Sequence, residues 1–391
     1  MIAAMCLAEI VGMTGFATFT ALIPQFQALW SLSNADAGWI SGMYHGGYAV
    51  AVPLLVSLTD RVDARRIYLY GQALAAVSAL DFALLADGFW SAVLWRTVAG
   101  IGMAGTYMTG LRAMNDRLPV DLHSRATAWY TALYGVGSGL SVYLTGAIEA
   151  SWGWQWAAGA AVAGPIAAIA IARIALASPV TPPAPSGAVL DFRPVLGNRR
   201  AMGFIGGYGA HSFELFGYRS WLVAFLVYLE ARDPSPFPLT PFVIAALIQL
   251  VGVPSSIIGN EMAQRWGRVR VAVWVMSAAA VLGLVVGAGP WLPYAVTVAA
   301  IAIYGWFVGM DSSTLTGGTV LAAEPDKRGA TMALHSTVGF AFAFLSPLCF
   351  GVVLDLSGGA NQPMAWLWAF VVMGIGAMIG PLCLWWANRG K

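Results

Sequence analysis

Charge in this sequence is gathered into short knots, and the stretches between the knots are apolar and long enough for a helix. The sharpest knot is Ser57 to Arg66, which reads Ser-Leu-Thr-Asp-Arg-Val-Asp-Ala-Arg-Arg. With apolar runs on both sides, such a stretch is a turn where the chain leaves one face of a membrane and re-enters it. Hydrophobic residues make up 59% of the chain and charged residues 10%, against about 45–50% and about 25% in soluble domains. Mean hydropathy is +0.72, and a soluble core has no place for so much apolar surface. At roughly 20 residues per span the chain has room for about twelve helices. The expected fold class is therefore an all-α polytopic membrane protein.

Apolar runs place the spans at 2–26, 38–58, 67–86, 90–112, 125–148, 154–177, 201–229, 241–262, 271–288, 293–318, 329–354 and 363–387. The turns after even-numbered spans hold Arg61, Arg65, Arg66, Arg112, Arg117, Arg125, Arg193, Arg199, Arg200, Arg265, Arg268, Arg270, Lys327 and Arg328, and the tail adds Arg389 and Lys391. The turns after odd-numbered spans hold only Arg232. Cytoplasmic loops carry the excess of Lys and Arg, so both termini and the even turns are expected in the cytoplasm, with the chain multi-pass in the plasma (inner) membrane. Met1 opens directly into an apolar run with no basic region and no small-residue cleavage site, which reads as a first span rather than a signal peptide. Cys6, Cys349 and Cys383 lie in apolar runs without metal-type spacing. Neither a disulfide framework, a metal nor a cofactor is expected. There is no His/Cys cluster, no Gly-rich phosphate-binding turn and no appended soluble domain, so a membrane-embedded enzyme or sensor is the weaker class. No nucleic-acid partner is expected.

The chain also reads as two halves. Ser178 to Arg200 contains Pro179, Pro182, Pro183, Pro185 and Pro194, a semi-rigid spacer between six spans at 1–177 and six at 201–391. Gly259-Asn-Glu-Met-Ala-Gln-Arg-Trp-Gly-Arg268 is a weaker echo of the first knot, with Gln264 in the place of Asp60. Arg125-Ala-Thr127 is echoed by Arg328-Gly-Ala-Thr331. Asp60-Arg61 followed by Arg65-Arg66, together with Arg96-Thr-Val-Ala-Gly-Ile-Gly102, resembles the second-to-third-span loop and the arginine-to-glycine motif of the major facilitator superfamily. The resemblance covers essentially the whole chain. It implies twelve transmembrane helices in two pseudo-symmetric six-helix halves, and a secondary active transporter that works by alternating access. Asp63 stands where the family's turn usually has glycine, and Gln264 where the second copy often has aspartate. The fifth span has Gly135, Gly137 and Gly139 but lacks the Gly-Pro pair typical of proton-antiporting drug exporters. The resemblance thus implies import by proton symport first, and proton-driven export of drug-like or organic compounds as the alternative.

An ionisable side chain at the centre of a span costs about 2.5–3.5 kcal/mol on insertion scales, so each one needs a partner or a function. The intramembrane candidates are Glu9, Asp81, Arg96, Glu214, Arg219 and Asp311, with His45, His211 and His335. Counting depth along antiparallel spans, Asp81 and Arg96 reach similar levels. They form a structural ion pair, or Arg96 faces a cavity and draws in an anion. The densest constellation is His211-Ser-Phe-Glu214-Leu-Phe-Gly-Tyr218-Arg219-Ser-Trp221, where His211 and Glu214, and Glu214 and Tyr218, share a helix face. This stretch resembles the corresponding span of cyanate- and nitroimidazole-type permeases. The expected substrate is a small anionic solute bound by Arg96, Arg219, Glu214, His211, Tyr218, Tyr107 and Tyr134, with the two arginines one per half. The bland alternative has Glu214 and Arg219 each satisfying a neighbouring helix.

A carboxyl in a low-dielectric site can exchange a proton, which makes Glu9 and Glu214 the proton-coupling candidates. Asp311, followed by Ser312, Ser313 and Thr314, suits an inner gate or a helix-end role. Asp60, Arg61, Arg65, Arg112 and Arg117 are the expected gating residues of the first half, and Gln264, Arg265 and Arg268 those of the second. Asp60 is expected to pair with Arg112 or Arg117 below the fourth span, or to sit at the N-terminus of the eleventh span, where a helix dipole favours negative charge. The partners are a small-molecule substrate, protons and the lipid bilayer, and the chain is expected to act as a monomer.

Overall fold

In a computed structural model of the chain, residues 1–181, 192–324 and 327–389 are described, apart from the side chain of Ser124. Among the described residues there are helices and no strands. The first rod is α1 (Ile2–Gly12), α2 (Thr18–Ala21) and α3 (Ile23–Trp30). Then come α4 (Asn34–Leu58), α5 (Ala64–Leu85), the broken rod α6 (Phe89–Ala104) with α7 (Tyr107–Asn115), α8 (Val120–Trp152), and α9 (Trp154–Ala160) with α10 (Ala163–Ala175). A short α11 (Arg193–Gly197) precedes α12 (Arg199–Arg232), α13 (Pro241–Trp266), α14 (Arg268–Gly287), α15 (Tyr294–Met310) with α16 (Ser312–Ala322), α17 (Arg328–Leu356) and α18 (Pro363–Asn388). These make twelve transmembrane rods in two six-helix halves.

Among the described residues, seven rods are long and apolar enough to cross a membrane by length and composition: Ala64–Leu85, Trp154–Ala175, Pro241–Trp266, Arg268–Gly287, Tyr294–Ala322, Arg328–Leu356 and Pro363–Asn388. The others are either broken, as the first is, or carry polar groups inside, as α12 does with His211, Glu214 and Arg219. Rod ends follow their caps. Ser33 Oγ donates to Asp36 Oδ2 at 2.7 Å and accepts from the Asp36 amide at 3.0 Å, a reciprocal cap that starts α4 at Asn34 rather than 38. Pro194 sits in the first turn of α11, where its missing N–H costs nothing, so part of the stretch read as a spacer is helical. Pro182, Pro183 and Pro185 lie outside the described residues, as does Lys391.

The chain forms two compact units, Met1–Phe19 with Met43–Leu190, and Thr20–Gly42 with Asp191–Lys391. Thr20–Gly42, part of the first half in sequence, thus belongs to the second unit.

Within the first unit, α6 seats on α4 and α5 through glycine. A Cβ at Gly100 would collide with the Tyr44 carbonyl oxygen, and one at Gly102 would fall 2.9 Å from the Gly71 carbonyl oxygen. The glycines after Arg96 are therefore places of backbone contact. Met5, Tyr68, Met114, Tyr130 and Leu176 pack into one apolar cluster.

Within the second unit, Trp221, Phe225, Phe350, Trp366 and Phe370 form an aromatic core joining α12, α17 and α18. The Trp221 indole donates to the Pro347 carbonyl at 3.1 Å. The start of α4 lies against α17, with Gly38 facing the Pro347 carbonyl, Gly42 the Phe344 carbonyl and Gly351 the Asn34 carbonyl. Asp355 caps the free N–H groups there, accepting from Asn34 N at 3.1 Å, Asn34 Nδ2 at 2.7 Å and Ala35 N at 2.8 Å.

Candidate functional site

The first unit holds its polar groups around a break in a helix. Residues 13–17 leave the helical path between α1 and α2, where Gly12, Thr14 and Gly15 are poor helix formers. An unwound segment at membrane depth must have its backbone groups satisfied by neighbours. Arg96 on α6 donates through Nη1 to the Phe16 carbonyl at 3.1 Å and the Gly15 carbonyl at 3.5 Å. Ser141 on α8 donates to the Thr14 carbonyl at 2.8 Å and accepts from the Ala17 amide at 2.9 Å. The Thr14 hydroxyl reaches the Ala161 carbonyl at 3.0 Å. Three helical rods thus hold one break open.

Arg96 is 5% exposed, and its guanidinium lies 4.4 Å from the centre of the Tyr44 ring, a cation–π contact. The expected Arg96–Asp81 ion pair is not formed. A continuous first helix would have no free carbonyls to capture the arginine, and the break supplies two. From Phe16 a chain of rings runs through Tyr134 (5.7 Å), Tyr107 (5.5 Å) and Tyr130 (6.1 Å). It ends at Glu9, 3% exposed, whose Oε2 accepts from the Tyr130 hydroxyl at 2.8 Å. Arg96, Tyr107, Tyr134 and Glu9 are therefore joined within this unit.

The second unit has its own buried set on α12, α15 and α16. Glu214, 1% exposed, accepts from the Tyr304 hydroxyl at 3.1 Å. Tyr218 stands edge-on to Tyr304 at 5.0 Å. Asp311 interrupts the rod between α15 and α16, and its Oδ1 lies 2.7 Å from His211 Nδ1, close in distance but not aligned as a hydrogen bond. Tyr208 stacks on His335 at 3.8 Å and on His211 at 5.6 Å. His335 meets Thr316 at 3.3 Å and Thr319 at 3.1 Å. Arg219 is half-buried, with its guanidinium beside Gly252.

The His211–Asp311 contact and the tyrosine partners of Glu9 and Glu214 are not encoded in apolar pattern or charge spacing. One signal was there to be read. Glu9-Ile-Val-Gly12 and Glu214-Leu-Phe-Gly217 stand in the first rod of each half, at the interval, to within one residue, that separates Asp60 from Gln264.

The charged turns differ between the units. Arg112 reaches Asp60 at 3.6 Å and Asp116 at 2.7 Å, all at the surface. Arg117 pairs with Asp63 rather than Asp60, at 2.6 Å. Asp63 also caps α5 through the Arg65 amide at 2.9 Å and accepts from the Val180 amide at 3.3 Å. Burial raises the Asp63 carboxyl, and the hydrogen bonds with the Arg117 charge outweigh it, leaving it below its ordinary value. Arg65 bonds the carbonyls of Arg173 and Ala177 at the end of α10, while Arg61 is exposed. In the second unit Gln264 and Arg265 are exposed, and Arg268 bonds Asn260 Oδ1 at 3.0 Å and the Thr314 carbonyl at 3.4 Å, with no carboxylate among those partners.

A family model described as the Major Facilitator Superfamily matches residues 5–310. A probable multidrug-efflux transporter of Mycobacterium tuberculosis is 35% identical over 124 residues, covering 31% of this chain and 26% of that protein. Multidrug resistance protein Stp of the same organism is 25% identical over 134 residues, 34% of this chain and 25% of that protein. The chain therefore spans about a quarter of the length of these curated relatives. Among solved structures, a bacterial homolog of the human lysosomal transporter Spinster, inward-facing and occupied, superposes with TM-score 0.75 and 16% identity over 100% of this chain and 96% of that one. An auto-inhibited POT family peptide transporter gives 0.76, 16%, 100% and 97%. At that identity the likeness concerns the fold.

Proposed function

Because the chain belongs to the Major Facilitator Superfamily, whose members are transporters and not enzymes, we propose that it is a secondary active transporter moving a small anionic solute by alternating access, coupled to proton entry. Arg96 carries this reading. It is a buried guanidinium with no carboxylate at ion-pair distance among the described residues, held by carbonyls and a ring. A buried charge in that state favours an anion. Arg219 supplies the positive group of the second half, with His211, Glu214 and Tyr218 beside it on α12.

Glu9 and Glu214 carry the protons. Each is buried and accepts a tyrosine hydroxyl, and protonation relieves the cost of keeping its charge out of water. The turn residues Asp60, Arg61, Arg65, Arg112 and Arg117, and Gln264, Arg265 and Arg268, act as unequal cytoplasmic gates, since only the first set holds carboxylates. The protein works as a monomer in the plasma (inner) membrane with both termini cytoplasmic. Proton-driven export of drug-like or organic compounds is the second reading, favoured by the multidrug-efflux and multidrug-resistance names of the relatives.

Proteoliposomes loaded with labelled formate, nitrate or benzoate, and tested for counterflow and for accumulation under an inward proton gradient, test the first reading. Exchange of at least one anion with loss in Arg96→Ala is expected. Exchange of organic cations or neutral drugs in place of all three, driven outward by the proton gradient, would overturn it in favour of export.

A further inference from the structure

The polar groups of Arg96 are only partly used. Nη1 serves the carbonyls of the helix break and the flat face lies on Tyr44, but Nε is buried with no hydrogen-bond partner. Beside it is a cavity of about 50 Å³ walled in part by Gly15, Phe16, Thr18, Tyr44, Ser78 and Arg96. The Thr18 hydroxyl, on α2 at the far end of the break, is also buried with no partner. The Ser78 hydroxyl spends its proton on the Trp95 carbonyl at 2.5 Å. Two residues that each keep an unused donor, one of them cationic, therefore share the wall of one small space. All of its walls belong to the first unit.

The occupant's chemistry follows from these groups. Arg96 repels a cation. Water accepts from both donors but leaves the arginine's charge where it is, whereas an anion accepts from both and cancels it. The volume holds only a few water-sized bodies, which shuts out a ring-bearing acid or a drug-sized molecule. Phe16, Phe19, Phe82 and several alanines complete the wall, and such surroundings suit an ion that gives up its hydration easily.

We propose that this cavity binds a monovalent inorganic anion of chloride or bromide size as the counter-ion of Arg96. The inference rests on Arg96 as the anion-binding group and narrows the anion it takes. The helix break, with its carbonyls turned to Nη1, leaves Nε and Thr18 for the ion.

The test uses the full-length protein in detergent at fixed pH and ionic strength, with sodium gluconate replaced stepwise by sodium chloride or sodium bromide. Ligand binding to the folded state raises the unfolding midpoint saturably, so a rise with both halides and none with gluconate is expected. Arg96→Gln, Thr18→Val and Ala79→Leu, the last filling the cavity with hydrocarbon while keeping both donors, are each expected to lose the rise. Ala79→Leu and Thr18→Val keep the test decisive if Arg96→Gln does not fold. The same midpoint in all three salts, or a halide effect that persists in Thr18→Val and Ala79→Leu, would overturn the site. No gradient or flux is read here. A flat halide response with intact counterflow sinks this site alone, and lost counterflow with an intact halide response sinks the transport reading alone.

Discussion

Asp63 gathers three hydrogen bonds on one carboxylate, from the amides of Arg65 and Val180 and from the Arg117 guanidinium. Arg117 is itself buried and bonds the carbonyls of Ala113 and Ser178, so the pair ties α5, α7 and the end of the sixth span together. Removing the carboxylate leaves a buried guanidinium short of an acceptor. Asp63→Ala is therefore expected to lower stability by about 1–3 kcal/mol, measured by chemical unfolding in detergent. The pH dependence has a definite sign. A carboxyl held below its ordinary value contributes fully above the unfolded value near 4 and loses that contribution as pH falls through the folded one. The difference between parent and Asp63→Ala is thus expected to stay constant from neutral pH down to about 4 and to shrink only below it. A difference that fades between pH 7 and 5 would mean that Asp63 is not held as the geometry says.

At the scale of helices, stability rests on breaks and caps that other elements complete. Ser141 serves the Thr14 carbonyl and the Ala17 amide at once, so Ser141→Ala strands two buried backbone groups. Each costs about 1–3 kcal/mol when left unsatisfied, and a fall of that order in unfolding free energy is expected, against almost none for Ser31→Ala at the rod's other end. Asp355 caps α4 from α17. Asp355→Ala is expected to cost about 0.5–2 kcal/mol, and equal unfolding curves for parent and variant would show the cap to be idle.

How far these elements could be read from sequence follows from what each depends on. Rods declare themselves by apolar length, and the start of α4 by Ser33 and Asp36. The glycines after Arg96 were legible as a motif, though their reason, the backbone approach of α4 and α5, was not. The partner of Arg96 was illegible for a physical cause. It is a pair of main-chain carbonyls freed by a helix break, and a carbonyl carries no letter in the sequence. Asp63 looked like a departure from a glycine position because its partner Arg117 lies two rods further along the chain.

For the whole molecule, the duplication of the halves bears on coupling. Glu9 and Glu214 occupy matching places in the two repeats, each followed three residues later by a glycine with close neighbours, Gln72 at Gly12 and Ser346 at Gly217. Each takes a hydroxyl from a tyrosine on another rod, Tyr130 or Tyr304. A hydrogen bond to a charged group is worth about 1.5–3 kcal/mol, so the tyrosine favours the ionised acid while burial favours the protonated one. If the two acids are equivalent carriers, Glu9→Gln and Glu214→Gln should each abolish accumulation driven by a proton gradient in proteoliposomes, and Glu9→Gln, which lies outside the substrate-binding set, should leave counterflow, which needs no net proton movement, near the parent's rate. Tyr130→Phe and Tyr304→Phe should keep accumulation but move its pH profile to higher pH, because the ionised acid has lost its donor and the proton is held more tightly. Accumulation that survives one glutamine substitution and not the other would break the equivalence and leave a single coupling half. Accumulation that survives both would remove the glutamates from coupling altogether.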